Sequence, residues 1–375
     1  MGVFRQMSIK GRAVKLLSGA AAAGPWRSAF ERALVSLGHK HPTDRAVTSF
    51  CRHFGAGLMR REGNGFSRRA VFETGGMMLC AGERSLAQLS LSYYFSGTIT
   101  GQHEDERRVV RLIKRLVREG DIFFDLGANF GFYSFYVAPL CGKTGEIHAF
   151  EANPCLIPHL RCSAEVNKEY ASIYVNAVAV GKESGGYLPL YDPERIGCSS
   201  LYPHEWLNRN SKVVVPIVAI DEYVRQRRIG RIDVMKIDIE GAELDALRGM
   251  EETFRTFSPK LIICELTLLP EQDNPLRRSP EVMRRAPTAA DPRELADFLK
   301  QKGYDLWDIA DDGRLFTSEI SKLAAGALKL ANVAFVRPEL QRLRPEVFAC
   351  QQYESTPAAA ALTTHLQHTT LAKVK

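Results

Sequence analysis

IFFDLGANFGFYSFYVAPL, residues 122–140, decides the fold: an apolar run closes on Asp125, a turn carries Gly127 and Gly131, and an apolar stretch of helical length follows. This is a strand, a glycine turn and a helix. The unit recurs. EIHAFE (146–151) reads as a strand, NPCLIPHLRCSAEVNK (153–168) as a helix and YASIYVNAVAV (170–180) as one further strand. IDVMKIDIE (232–240) is the next strand, GAELDALRGMEETFRTF (241–257) one helix, and PKLIICEL (259–266) another strand. Strands alternating with helices predict βαβ units and a mostly parallel sheet, an α/β fold.

Outward from this core the text is less regular. Apolar spacing from Val109 to Val117 predicts a helix over 104–119. Between residues 181 and 218, GGYLPLYD and KVVVPIVAI flank the polar GCSSLYPHEW and suggest an inserted hairpin; Asp221 is expected to cap the short helix after it. Residues 270–292 read as a long loop, 291–304 as a helix, and YDLWDI and NVAFVRP as a terminal antiparallel strand pair. Residues 1–100 alternate short helical patterns with Gly-rich breaks such as ETGGMMLCAGE, an extension of unnamed role. The main domain spans 101–340, and 341–375 is a tail expected to be mobile, whose His365 and His368 merit no metal reading.

Bulk properties narrow the function. Hydrophobic residues at 45% and charged residues at 25% suit a globular protein with a sizeable core. The net charge of +7 is scattered rather than gathered in runs, and no nucleic-acid module is recognisable, so nucleic acid is not the expected partner. Cys51, Cys80, Cys141, Cys155, Cys162, Cys198, Cys264 and Cys350 form no C-x-x-C pair and no zinc spacing. They read as reduced thiols of a cytoplasmic protein. Basic residues before LLSGAAAAGPW imitate a secretory leader, but Ser18, Gly19 and Gly24 weaken its apolar part, and no run of 18 apolar residues marks a membrane span.

The chemistry-bearing residues gather at strand ends. Gly127 and Gly131 are spaced G-x-x-x-G, not the G-x-G-x-x-G of dinucleotide binders; they are expected to let backbone N–H groups approach a ligand, with Asp125 facing the turn. Glu151 ends the adjacent strand, where a carboxylate can accept both ribose hydroxyls of an adenosine; Asp125 and Glu151 would otherwise cap the following helices. The densest cluster, KIDIEGAEL, packs Lys236, Asp238, Glu240 and Glu243 around Gly241 at another strand end. Alternation puts Lys236 and Asp238 on one side. Such acids suit a general base or a divalent-metal site, or serve as helix N-terminal charges with Lys236 neutralising Asp238.

In their order, DLGANFGFYS, FEANP, NAVAVG, AIDEYV, KIDIEGAEL and IICEL resemble the FkbM family of methyltransferases over about residues 101–340. The resemblance implies a Rossmann-like class I methyltransferase with a seven-stranded sheet, S-adenosylmethionine as donor, and O-methylation of a sugar, glycan or natural-product hydroxyl. The family's cofactor positions fall on Asp125, Gly127, Asn129, Gly131 and Glu151, with an acidic position of the preceding helix at Glu104. The Asp238–Glu243 segment, Lys236 and Glu265 line the reaction side, with Asp238 the first choice of base. One departure is Ala152, where the family commonly has proline; the carboxylate before it is intact. Two other readings stand beside this one: an NAD-dependent oxidoreductase or epimerase, which lacks its glycine signature here, and a non-catalytic cofactor-binding module, against which the intact acids speak.

Overall fold

The structure, a computed structural model, describes residues 59–61, 69–74, 77–82, 104–194, 199–203, 207–268, 292–320 and 329–348. Helix α1 (Glu104–Leu116) leads into β4 (Ile122–Leu126), α2 (Phe132–Cys141), β5 (Glu146–Phe150), α3 (Ile157–Val166) and β6 (Ser172–Asn176). The chain then crosses back to place β10 (Val234–Ile237) on the other side of β4, with β11 (Leu261–Leu268) next. These five strands are mutually parallel. Beyond β11 lie β14 (Lys329–Val336), β12 (Asp305–Ile309) and β13 (Leu315–Thr317), each antiparallel to its neighbour. The sheet thus has the expected seven strands, its terminal antiparallel pair, and an eighth edge strand. Chain direction across the sheet reverses between β4 and β10, and ligands of open α/β sheets bind at the carboxyl ends beside such a switch.

Strand alternation divides the core into two layers. Phe123, Ile147, Val234, Ile263 and Ala334 pack with Val109, Leu112 and Val137 of α1 and α2. Phe124, Phe150, Met235, Ile237, Cys264 and Phe335 pack on the other face with Ile220, Leu247 and Leu299. Each fully buried side chain of this size stabilises the fold by about 1.5–3 kcal/mol relative to exposure. Among the described residues no helix is long and apolar enough to cross a membrane.

Four elements differ from the sequence reading. First, YASIYVNAVAV is two strands. β6 closes the main sheet, whereas β7 (Ala179–Val180) pairs with β9 (Lys212–Val218), which also pairs with β8 (Tyr187–Tyr191). The inserted hairpin is therefore present, as β8 and β9 of a second, three-stranded sheet.

Second, GAELDALRGMEETFRTF forms two helices, α5 (Glu243–Arg248) and α6 (Glu251–Phe257), broken at Gly249. A Cβ on Gly249 would lie 2.3 Å from the carbonyl oxygen of Gly181, so the chain bends where another backbone passes close. Third, Asp221 does not cap its own helix α4 (Ile220–Arg227) but lies in its first turn. Its carboxylate instead accepts the N–H groups of Glu252 and Thr253, at 2.9 and 2.7 Å, and the Thr253 hydroxyl at 2.6 Å. It caps α6. Asp221→Ala is expected to destabilise the protein by about 1–2 kcal/mol, the range for a lost cap; a urea unfolding midpoint unchanged from wild type would contradict this role.

Fourth, residues expected to be helical or irregular form strands: β1 (Met59–Arg61), β2 (Arg69–Thr74) and β3 (Met77–Gly82) make an antiparallel sheet whose last strand lies against α2 and α3. Across this sheet β2 and β3 pair antiparallel from Arg69 opposite Gly82 to Thr74 opposite Met77. The amino-terminal leader-like stretch, the 270–291 loop and the tail histidines lie outside the described residues.

Candidate functional site at the carboxyl edge of the sheet

The turn after β4 puts three residues in the left-handed region: Gly127 at φ 83°, Asn129 at 53° and Gly131 at 84°. Its glycines answer to packing. A Cβ on Gly127 would lie 1.8 Å from the Asp238 carbonyl oxygen, and one on Gly131 would lie 2.1 Å from the Phe135 ring and 2.8 Å from Leu160. The N–H groups of Gly127 and Ala128 both donate to the Phe150 carbonyl, at 3.0 and 2.9 Å. They are not offered to a ligand, contrary to the reading from spacing.

Asp125 takes the second of its two sequence readings, that of a cap on the following helix. It is 1% exposed, and its Oδ2 accepts the Ser134 N–H at 3.0 Å and the Ser134 hydroxyl at 2.6 Å, within the first turn of α2. It holds the helix rather than facing the turn. Burial pushes its carboxyl up to about 6, against the pull of Ser134 and the Lys236 ammonium.

Glu151 joins the two loops beside this turn. Its Oε2 accepts the Asn129 N–H and its Oε1 the Asn153 N–H, each at 2.7 Å. Burial raises its carboxyl to about 7, with the Asn153 and Asn129 hydrogen bonds opposing. The Asn129 Oδ1 is buried without a hydrogen-bond partner. A buried carboxylate and an orphaned amide oxygen, side by side, fit a ligand that brings hydroxyl donors, as the ribose of a nucleoside does.

Across the Gly127 contact lies the KIDIEGAEL segment. Lys236 is fully buried; its Nζ stands 3.2 Å from Asp238 Oδ2 and 5.5 Å from the centroid of the Tyr133 ring. The expected Lys236–Asp238 pairing is therefore present. The Asp238 side chain, at 29% exposure, reaches solvent. Glu240 adopts φ 55° and Gly241 φ 105°, a kink braced by Glu243. Glu243 Oε1 accepts the N–H groups of Gly241 and Ile239, at 3.0 and 3.3 Å. Burial raises the Glu243 carboxyl. Glu243 thus supports the loop. Glu265 sits one strand further along, half-buried on β11. Glu104 opens α1, and its side chain lies outside the described ones. Among the described residues no group of three or more His, Cys, Asp or Glu is placed to hold a metal ion.

Several residues escaped the sequence reading. Asn153 Nδ2 donates to the Pro193 carbonyl at 2.7 Å and to Ser199 Oγ at 3.2 Å. The Ser200 hydroxyl donates to the Glu240 carbonyl at 2.7 Å, and the Tyr202 hydroxyl to Asp245 at 2.6 Å. The inserted segment thus crosses from the β5 side to the β10 side, over the end of β4. The only signal in the sequence was a polar, small-residue stretch between two extended runs.

Residues 125–306 match the model of the methyltransferase FkbM domain. Three curated relatives are similar over part of their length. The hexuronic acid methyltransferase AglP of Haloferax volcanii is 26% identical over 161 residues, 43% of this chain and 62% of the relative. Methyltransferase sdnD of Sordaria araneosa is 29% identical over 34% of this chain and 60% of the relative. The 31-O-demethyl-FK506 methyltransferase FkbM of Streptomyces tacrolimicus is 23% identical over 36% of this chain and 62% of the relative. The chain spans about three fifths of the length of these relatives.

Proposed function

We propose that this chain, which matches the FkbM methyltransferase domain and has a Rossmann-like class I methyltransferase fold, is an S-adenosylmethionine-dependent O-methyltransferase acting on a hydroxyl of a sugar, glycan or natural product. The observation that carries the reading is Glu151: a buried carboxylate at the end of the strand next to β4, tied to the glycine turn and beside the unpartnered oxygen of Asn129. In this reading Glu151 accepts the ribose hydroxyls and Asn129 accepts a further donor. Gly127 and Gly131 shape the turn that holds both, and Asp125 fixes the start of α2 behind it. The named substrates of AglP and of the Streptomyces enzyme support an oxygen acceptor. The catalytic unit is taken to run over residues 101–340.

S-adenosylmethionine, when bound, supplies a methyl group on an electron-poor sulfonium. The chain's own contribution is to orient the acceptor hydroxyl and to take its proton. Asp238 is assigned the proton, because its carboxylate reaches solvent at the end of β10 with the Lys236 ammonium 3.2 Å away. Glu243 and the Glu240–Gly241 kink fix the direction of that loop. Glu265 lines the far side.

The nicotinamide reading loses its physical basis, because the Gly127 and Ala128 N–H groups that would cradle a pyrophosphate are bonded to Phe150. Calorimetric titration with S-adenosylhomocysteine and with NAD, on wild type and on Glu151→Ala, decides between them. Binding of S-adenosylhomocysteine alone, weakened at least about a hundredfold in the variant, is expected, the worth of about two charge-assisted hydrogen bonds. Binding of NAD instead would overturn the proposal.

A further inference from the structure

Asn332 is a polar residue in the middle of an apolar strand. Its neighbours in β14, from Ala331 to Val336, are all buried hydrophobics, and Asn332 itself is 7% exposed. Its Oδ1 is buried with no hydrogen-bond partner. Leaving such an oxygen unpaired costs about 1–3 kcal/mol, so the folded protein alone gains nothing from having asparagine there.

The register says what the residue stands beside. Lys236 pairs with Ile263 and Glu265 with Asn332, which puts Asp238, Glu265 and Asn332 at one level across β10, β11 and β14. Alternation sends all three side chains to the same face, shared with Lys236, Ile263 and Ala334. The row starts at the carboxylate assigned to the reacting hydroxyl and runs away from the glycine turn, which lies on the other side of β10. Asp238 is assigned the reacting hydroxyl, and the buried end of Asn332 is an oxygen, which accepts a hydrogen bond and does not donate. A ligand lying along this row brings one donor to each.

We propose that Asn332 is a specificity-determining residue of the acceptor site, its amide oxygen receiving a hydrogen bond from a second hydroxyl of a polyhydroxylated acceptor whose methylated hydroxyl lies at Asp238. The proposal rests on the methyltransferase reading and narrows its substrate to a polyol such as a sugar ring. The orphaned oxygen is then the cost of a contact that only the acceptor completes.

The test measures thermal melting of the protein saturated with S-adenosylhomocysteine, with and without the methyl α-glycosides of glucose, mannose and galactose. Wild type, Asn332→Leu and Asn332→Asp are compared. Asn332→Leu is expected to melt higher than wild type without glycoside and to bind S-adenosylhomocysteine unchanged. It should also lose about tenfold or more in affinity for the glycoside that stabilises wild type, the worth of one hydrogen bond. Asn332→Asp, which keeps an acceptor oxygen, should retain the response. Equal glycoside responses in wild type and Asn332→Leu would overturn the role of Asn332. Absence of any response in wild type that still binds S-adenosylhomocysteine would overturn the polyol assignment and leave the methyltransferase reading standing. Only loss of S-adenosylhomocysteine binding by wild type would remove that reading itself.

Discussion

Gly127→Ala is expected to abolish S-adenosylhomocysteine binding and to destabilise the protein by about 3 kcal/mol or more. The new Cβ would meet the Asp238 carbonyl oxygen at 1.8 Å, its carbon at 2.8 Å and Ile239 Cγ2 at 3.0 Å. Two of these atoms are backbone and have no rotamer to escape into. Holding alanine at φ 83° costs about 1–2 kcal/mol by itself. Moving the loops apart also pulls the Gly127 and Ala128 N–H groups from Phe150 and the Asn129 N–H from Glu151, at about 1 kcal/mol per hydrogen bond. Gly185 provides the control. It has φ 89° and nothing within 4 Å of its would-be Cβ, so Gly185→Ala should show only the strain, about 1–2 kcal/mol, with cofactor affinity unchanged. Urea unfolding and calorimetry read both quantities, and a Gly127→Ala protein that unfolds and binds like wild type would remove the loop contact from the account.

That contact illustrates what the sequence carries and what it hides. The glycine turn, the strand-end Glu151 and the parallel alternation are local patterns, and each was legible because a strand or turn announces itself within a few residues. The reason for the glycines was not. Gly127 is required by the backbone of Asp238, which is remote in the chain and adjacent only once β10 lies beside β4. Asp221 misled in the same way: it read as the cap of α4 and stands in that helix's first turn, yet its carboxylate serves a later helix folded back against it. Asp125 read as a charge facing the turn, but alternation points it at Ser134 on the helix side. Asn332 gave no signal as a lone amide in LANVAFV, and its meaning depends on a register shared by three strands. The inserted segment was visible as an interruption, but not its path from Asn153 to Glu240.

Cofactor affinity and the contribution of Glu151 to the stability of the free protein should move in opposite directions with pH. Burial raises its carboxyl from the ordinary 4.5 to about 7, so the folded protein favours the protonated form. Its contribution to stability is fully present below about 4.5 and is lost as the pH rises through about 7, because the unfolded chain releases that proton more easily. Asp125, raised to about 6 by burial, adds to the same trend at lower pH. A ribose, by contrast, donates to an ionised carboxylate, so binding must remove the proton. Affinity for S-adenosylhomocysteine is expected to be flat above about pH 7 and to fall toward tenfold per unit below it. Glu151→Gln cannot ionise. It should bind more weakly at every pH, lose the affinity step, and lose the share of the stability trend that belongs to Glu151, while Asp125 and Glu243 keep theirs and His148, lowered to about 3 by burial, keeps its opposite one. Calorimetry from about pH 5.5 to about 8.5, alongside melting of the unliganded protein, measures both slopes. A wild-type affinity independent of pH across this range would mean that Glu151 does not meet the cofactor's hydroxyls, and that its bonds to Asn129 and Asn153 are its whole role.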